Sequence, residues 1–170
     1  MNFNHYIRDV ENFPSEGITF KDITPLLQHE KAFKASAMAL LNLVPKTPID
    51  KVIGMESRGF FYGPLLAMEL NAGFVPVRKA GKLPFEKVSQ TYDLEYGTDT
   101  LEIHKDSIIE GERILIHDDV LATGGTAEAV CALVEKLGGT IVQCNFLIEL
   151  EFLKGKEKLK GHEVRSLIQY

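Results

Sequence analysis

The chain has 170 residues, 45% hydrophobic and 25% charged, with a formal net charge of -5. That length suits one domain that buries roughly 70% of its unfolded surface, and no apolar run approaches the ~18 residues of a membrane span. The acidic balance argues against a nucleic-acid surface, Met1 to Tyr6 lack a signal-peptide core, and two cysteines are too few for a disulfide framework, so no nucleic acid, no membrane and a cytoplasmic location are expected.

In chain order, Phe13-Pro14 and Gly17 to Pro25 carry apolar groups without periodicity, the pattern of packing under a loop. From Lys31 to Val44, Phe33, Ala37, Leu40, Leu41 and Val44 recur at helical spacing until Pro45 stops the run. Lys51 to Met55 reads as a strand, Phe60 to Leu70 as an apolar helix and Gly73 to Val77 as another strand, an order that implies parallel pairing. Between Arg78 and Thr100 the residues turn polar and aromatic, and alternation over Val88 to Leu94 predicts a two-stranded excursion, with Asp99 to Ile103 returning. After a turn at Gly111 come a strand at Ile114 to Ile116, a helix from Ala127 to Leu137 and a strand from Thr140 to Ile148. Cys131 and Cys144 fall in that helix and strand as buried thiols. The Lys-rich run Lys154 to Lys160 is expected to be a solvated helix face.

The segment from Ile114 through Asp118, Asp119, Ala122, Thr123, Gly124, Gly125 and Thr126 carries the chemistry. Its apolar run reads as a strand buried on both faces, and the charges begin where the run ends, where ligands bind in an open α/β sheet. Gly124 and Gly125 accept positive φ, while Thr123 and Thr126 place hydroxyls beside the unpaired amides that open a helix. Ala122 to Thr126 is thus an anion cradle. No Gly-Lys-Ser/Thr closes it and no Gly-x-Gly-x-x-Gly opens it, so it is neither common phosphate loop. Asp118 and Asp119 accept hydrogen bonds from vicinal hydroxyls and repel a phosphate placed directly on them. A ribose 5-phosphate fits: phosphate on the cradle, 2- and 3-hydroxyls at the acids, with or without a hydrated divalent cation. The bland alternative is a solvated turn capped by the acids.

Gly54-Met-Glu56-Ser57-Arg58-Gly59 follows the first core strand, and its amides and Arg58 favour an anion, against a plain turn with a surface ion pair. Arg78-Lys79-Ala80-Gly81-Lys82 gathers three cations around a glycine, which alone reads as solvated surface. The five histidines form no metal pattern, and His117 is expected to be packed or solvated.

The segment from Asp118 to Thr126 resembles the phosphoribosyl-pyrophosphate signature of the type I phosphoribosyltransferases. From Phe13-Pro14 through Glu102-Ile-His-Lys-Asp106 to Leu153-Lys-Gly155 and Ser166-Leu167, the chain resembles the adenine branch of that family. The resemblance implies a single α/β domain over 1–170, with a mostly parallel five-stranded core sheet flanked by helices. A small N-terminal hood (within 1–28) and a flexible flap (79–98) complete it. It implies transfer of 5-phosphoribose to adenine, giving AMP and pyrophosphate. Pyrophosphate would be bound by Glu56, Ser57, Arg58, Arg78 and Lys82, with a cis peptide between Glu56 and Ser57. Adenine would meet Thr19, Phe20, Lys21 and Leu150. Glu95, in the flap with Tyr96, would protonate or hydrogen-bond the purine N7, and Arg58 would join it in catalysis. Mg²⁺ would be held mainly through the substrate's pyrophosphate and ribose hydroxyls, and the assembly would be a homodimer. Two other readings stay open: a 6-oxopurine transferase, and a non-catalytic phosphoribosyl-pyrophosphate sensor.

Overall fold

The computed structural model describes residues 1–93 and 97–170. They fall into two units, Met1–Ala39 and Leu40–Tyr170.

In the first unit, β1 (Arg8–Glu11) pairs antiparallel with β2 (Thr19–Asp22). The Phe13 ring meets Phe20 edge-on at 5.2 Å, and Lys21 pairs with Asp9 at 2.7 Å. The Phe13–Pro14 peptide is cis. Pro25 sits in the first turn of α1 (Thr24–Gln28), where its missing N–H is harmless. The expected long helix follows as α2 (Glu30–Leu43), within which the two units divide.

The apolar runs of the second unit become strands buried most fully at the centre of the sheet, and a more exposed edge strand joins them. These are β3 (Lys51–Met55), β4 (Gly73–Lys79), β7 (Arg113–Leu121), β8 (Thr140–Glu149) and β9 (Val164–Gln169), with α3 (Gly63–Glu69) between β3 and β4. They form a parallel block in the order β4-β3-β7-β8-β9. Beyond β4 the sheet continues antiparallel through β6 (Thr98–His104) to β5 (Lys87–Asp93), the expected excursion and its return. Helix α4 (Gly125–Lys136) lays Ala127, Val130, Cys131, Leu133 and Val134 on this sheet. Each larger side chain of that row contributes about 1.5–3 kcal/mol by leaving water.

Several boundaries differ from the sequence expectation. The acid-bearing strand does not end at Ile116, because pairing with β8 continues to Leu121 opposite Glu149, so both aspartates lie inside the strand. The expected helix Phe60 to Leu70 is divided into a 3-10 turn (Arg58–Phe60) and α3, with Pro64 in the opening turn of α3, a position that proline tolerates. Lys154 to Lys160 forms a solvated face only in part, with Lys154, Lys158 and Lys160 exposed. It contains a 3-10 turn, Gly155–Leu159, with Gly155 and Leu159 buried and Lys156 held 2.6 Å from the buried Glu149. Strand β9, with its weak alternation, adds an edge that periodicity did not reveal.

Two polar devices brace the block. Arg113 donates through its backbone N–H, Nε and Nη2 to the Asp50 carboxylate at 2.7–2.8 Å, joining the entries of β3 and β7. Fully buried His117 bonds Asn145 Oδ1 through Nδ1 at 3.2 Å. Asn145 Nδ2 donates to the Leu40 carbonyl, and Gln143 Nε2 to that of Leu43. Among the described residues, no helix is long and apolar enough to cross a membrane.

Candidate active site

The end of β3 lies beside His117, just before the acid pair of β7, and the loops that leave the two strands define the site. After β7 the chain turns through Ala122, Thr123 and Gly124, whose φ of 83° an L side chain rarely adopts, into the first turn of α4 at Gly125 and Thr126. Asp118, Ala122, Thr123, Gly124, Gly125 and Thr126 line a cavity of about 70 Å³ there. Behind it a second backbone crosses at close range. A Cβ on Gly155 would fall 2.2 Å from the Ala122 carbonyl oxygen, and one on Gly124 would fall 2.4 Å from that of Gly155. Only glycine on both sides permits this crossing.

Neighbouring residues of a strand point to opposite faces, and the acid pair follows that rule. Asp118 lines the cavity and accepts the Asp119 N–H at 2.8 Å, while the Asp119 carboxylate meets Arg58 Nε at 2.9 Å. Burial pushes both carboxyls above the usual aspartate range, and the neighbouring Asp119 charge raises Asp118 further. Arg58 opposes the rise at both acids. The turn that carries Arg58 can approach because Gly59 has no side chain. A Cβ there would lie 2.9 Å from the His117 carbonyl oxygen and 3.1 Å from Asp118 Oδ1.

The Glu56–Ser57 peptide is cis, as the resemblance implied. Glu56 itself gathers cations: it accepts Arg78 Nε at 3.1 Å, the Lys79 N–H at 2.9 Å and Lys82 Nζ. Burial works against its charge, yet the bonds from Lys82, Lys79 and Arg78 outweigh that cost and hold its carboxyl down at about 2. The carboxylate therefore organises positive groups and offers an incoming anion none of its own. Arg78 also lies over the Phe60 ring at 6.0 Å.

The sites expected from sequence thus fall into two groups: a cavity with its acid pair, and a cation cluster fixed by Glu56, with Arg58 touching the first from two residues beyond the second. Leu150 stands after β8, its N–H donating to the Leu121 carbonyl at the end of β7. Thr19, Phe20 and Lys21 stand in β2 of the first unit. Glu95 and Tyr96 lie outside the described residues.

A family model for the phosphoribosyl transferase domain matches residues 22–167. The chain belongs to the phosphoribosyltransferase family. Relatives named adenine phosphoribosyltransferase include one from Flavobacterium johnsoniae, 61% identical over the full length of both chains. Another, from Christiangramia forsetii, is 58% identical over 100% of this chain and 99% of its own. The crystal structure of the Rhodothermus marinus adenine phosphoribosyltransferase superposes with a TM-score of 0.94 at 52% identity, covering 99% of this chain and 96% of that one. The Saccharomyces cerevisiae enzyme, solved with adenine and an imino-altritol bisphosphate, superposes with a TM-score of 0.92 at 45% identity, covering 97% and 96%.

Sequence reading of this phosphoribosyltransferase passed over two supporting residues. Glu102, buried in β6, accepts the Gly81 N–H at 3.0 Å and pairs with Lys87 at 3.1 Å, so it fixes the turn between Arg78 and Lys82. Gly155 backs the phosphate-sized cavity. A glutamate set between Leu101 and Ile103, and a glycine between lysines, were the available signals.

Proposed function

We propose that the chain transfers 5-phosphoribose from phosphoribosyl pyrophosphate to N9 of adenine, releasing AMP and pyrophosphate. The observation that carries this reading is the acid pair of β7, with an anion-sized cavity on one side and Arg58, near the cations fixed by Glu56, on the other. That order matches the polarity of the substrate: 5-phosphate, ribose hydroxyls, pyrophosphate. Full-length likeness to adenine phosphoribosyltransferases supports the choice of base.

In this reading, amides and hydroxyls of Ala122 to Thr126 hold the 5-phosphate, and Asp118 and Asp119 grip the 2- and 3-hydroxyls. As the bond from C1 to the pyrophosphate oxygen breaks, its electron pair leaves with pyrophosphate, and C1 gains oxocarbenium character. Arg58, Arg78 and Lys82, with the Ser57 backbone, stabilise the departing oxygens, and Glu56 keeps two of those cations in place. Adenine N9 supplies the electron pair of the new bond to C1, and its proton is lost. Thr19, Phe20, Lys21 and Leu150 contact the adenine ring, and Glu95, which shares the flap with Tyr96, bonds or protonates N7. Positioning and exclusion of water carry the rate, with no covalent nucleophile.

Two carboxylates suit a hard cation, but no group of three or more His, Cys, Asp or Glu converges among the described residues. Mg²⁺ would accordingly be held through substrate oxygens, with Asp118 and Asp119 nearby, and would neutralise pyrophosphate charge. We assign residues 1–170 to one functional domain, with the hood within 1–28 and the flap at 79–98. A cytoplasmic setting agrees with two buried cysteines that remain thiols, their sulfurs 3.7 Å apart. A homodimer is supported by Phe61, Leu65 and Met68, exposed at helical spacing on and just before α3, an apolar stripe that a second copy would cover.

The deciding assay incubates the protein with phosphoribosyl pyrophosphate, Mg²⁺ and adenine, hypoxanthine or guanine, and measures pyrophosphate release. Release with adenine alone is expected. Release with the 6-oxopurines in its place would favour the second reading, and silence with every base would favour a sensor. Sedimentation of the wild type against Leu65→Glu tests the dimer, which the charge should dissociate.

A further inference from the structure

Tyr92, in β5, stands directly across the hairpin from Asp99 of β6. Its partly buried ring packs on the core, and ring carbon Cδ2 lies 3.5 Å from where a side chain on Gly125 would begin. The Tyr92 hydroxyl accepts a hydrogen bond from Thr126 Oγ1 at 3.4 Å. Lys79 first, then the Thr100 N–H and last the Tyr92 hydroxyl, hold the Asp99 carboxyl below its ordinary range. Lys79 Nζ reaches Asp99 at 2.9 Å, while the Lys79 N–H donates to Glu56. Polar contacts thus run from Glu56 through Lys79 to Asp99 and, from its partner across the hairpin, Tyr92, to Thr126.

We propose that Tyr92 is a positioning residue for the 5-phosphate: its hydroxyl orients that of Thr126. The proposal rests on the phosphoribosyl-pyrophosphate reading above. A phosphate dianion only accepts hydrogen bonds, so a bound 5-phosphate turns the Thr126 O–H toward itself. Thr126 Oγ1 then presents lone pairs to Tyr92, and the phenol O–H turns to meet them. Asp99 keeps the Lys79 ammonium and the Thr100 N–H at 2.8 Å, so its charge stays satisfied. Hydroxyls aligned in one direction polarise each other, which strengthens the bond to phosphate. No proton changes owner.

Tyr92→Phe tests this, because it removes the hydroxyl and leaves the packed ring. Steady-state pyrophosphate release gives kcat and both KM values, and calorimetric titration gives the Kd for ribose 5-phosphate. The KM for phosphoribosyl pyrophosphate and the Kd for ribose 5-phosphate should each rise about fivefold, the contribution of one neutral hydrogen bond. The kcat and the adenine KM should stay within about twofold of wild type, and in a Thr126→Val background the same change should add nothing. Unchanged phosphate-end affinity overturns the proposal, as does an equal loss in both backgrounds. A matched loss in kcat and both KM values with a lowered thermal midpoint also overturns it, since that marks a structural role. If wild type binds ribose 5-phosphate but releases no pyrophosphate with any purine, the transfer reading fails, and the calorimetric comparison still decides the role of Tyr92.

Discussion

Arg58 Nε lies 2.9 Å from Asp119 Oδ2, in an ion pair whose acid side chain is 5% exposed and whose base is 33% exposed. The guanidinium is a counter-charge to both aspartates and opposes the rise that burial imposes on each. Replacing it with Arg58→Gln should raise both acids further, so that they take up protons at higher pH. The acidic limb of the profile of kcat/KM for phosphoribosyl pyrophosphate should then move upward in pH relative to wild type. A limb that stays in place or moves down would contradict this role.

The acids themselves should cost the fold stability. An aspartate whose folded value lies above 3.8 destabilises increasingly as pH rises from 3.8 toward that folded value, and a penalty is therefore present at neutral pH. Asp118→Asn should therefore raise the thermal midpoint at pH 7, by about 2–4 °C for each 1 kcal/mol recovered. Transfer should fall at least about 100-fold, and Asp118→Ala with Asp119→Ala should nearly abolish it while the fold persists. Circular dichroism melts beside the pyrophosphate assay test both halves, and wild-type turnover in the double variant would refute the site.

Glu56 has the opposite sign. Its folded value of about 2 lies below the ordinary 4.5, so its bonds to Lys82, Lys79 and Arg78 contribute stability above pH 4.5, lost as pH falls through about 2. Glu56→Gln keeps the shape and removes the charge that gathers the cations. The KM for phosphoribosyl pyrophosphate should rise about tenfold, as expected for weakened charge-assisted bonds, with little change in the adenine KM. Equal weakening for both substrates would point to general distortion.

Gly155→Ala should act on the phosphate loop from behind. Its methyl would start 2.2 Å from the Ala122 carbonyl oxygen, so one of the two backbones must move. Overpacking of this kind costs about 1–3 kcal/mol. Binding of ribose 5-phosphate should weaken at least about tenfold in calorimetry, and retention of wild-type affinity would show that the crossing is loose.

His117 should give the protein an acid-sensitive reserve. Burial lowers its folded value from 6.5 to about 4, so the unfolded chain binds the extra proton between those values and stability falls as pH drops through that window. Urea unfolding at pH 7.5 and 5.5 should differ by about 1 kcal/mol from this group. His117→Gln should flatten the difference, and an undiminished slope in that variant would assign it elsewhere.

Much of this was legible in the sequence because local chemistry carried it. Gly124, Gly125 and Thr126 announced a strand-to-helix turn, and the runs at Val52-Ile53 and Ile114 to Ile116 announced buried parallel strands. The length of β7 was not legible, since Asp118 and Asp119 are poor strand formers and only pairing with β8 keeps them extended. Glu56 read as an anion-loop residue, but its grip on Arg78 and Lys82 joins positions 22 and 26 residues apart, which no local pattern encodes. The same is true of Gly155 and Gly124, glycines at ordinary turns in sequence whose shared crossing exists only in the fold.

The extension of β7 through both aspartates bears on how the site meets its ligand. Side chains rooted in a strand paired along its length share the stiffness of the whole sheet, so their backbone ordering cost was met during folding. Ribose capture need restrict only side-chain rotation at the acids and the loops around them. In hydrogen exchange, amides flanking the acid pair should therefore be among the slowest of the chain, with or without substrate, making the grip a fixed jaw against which the remaining loops move.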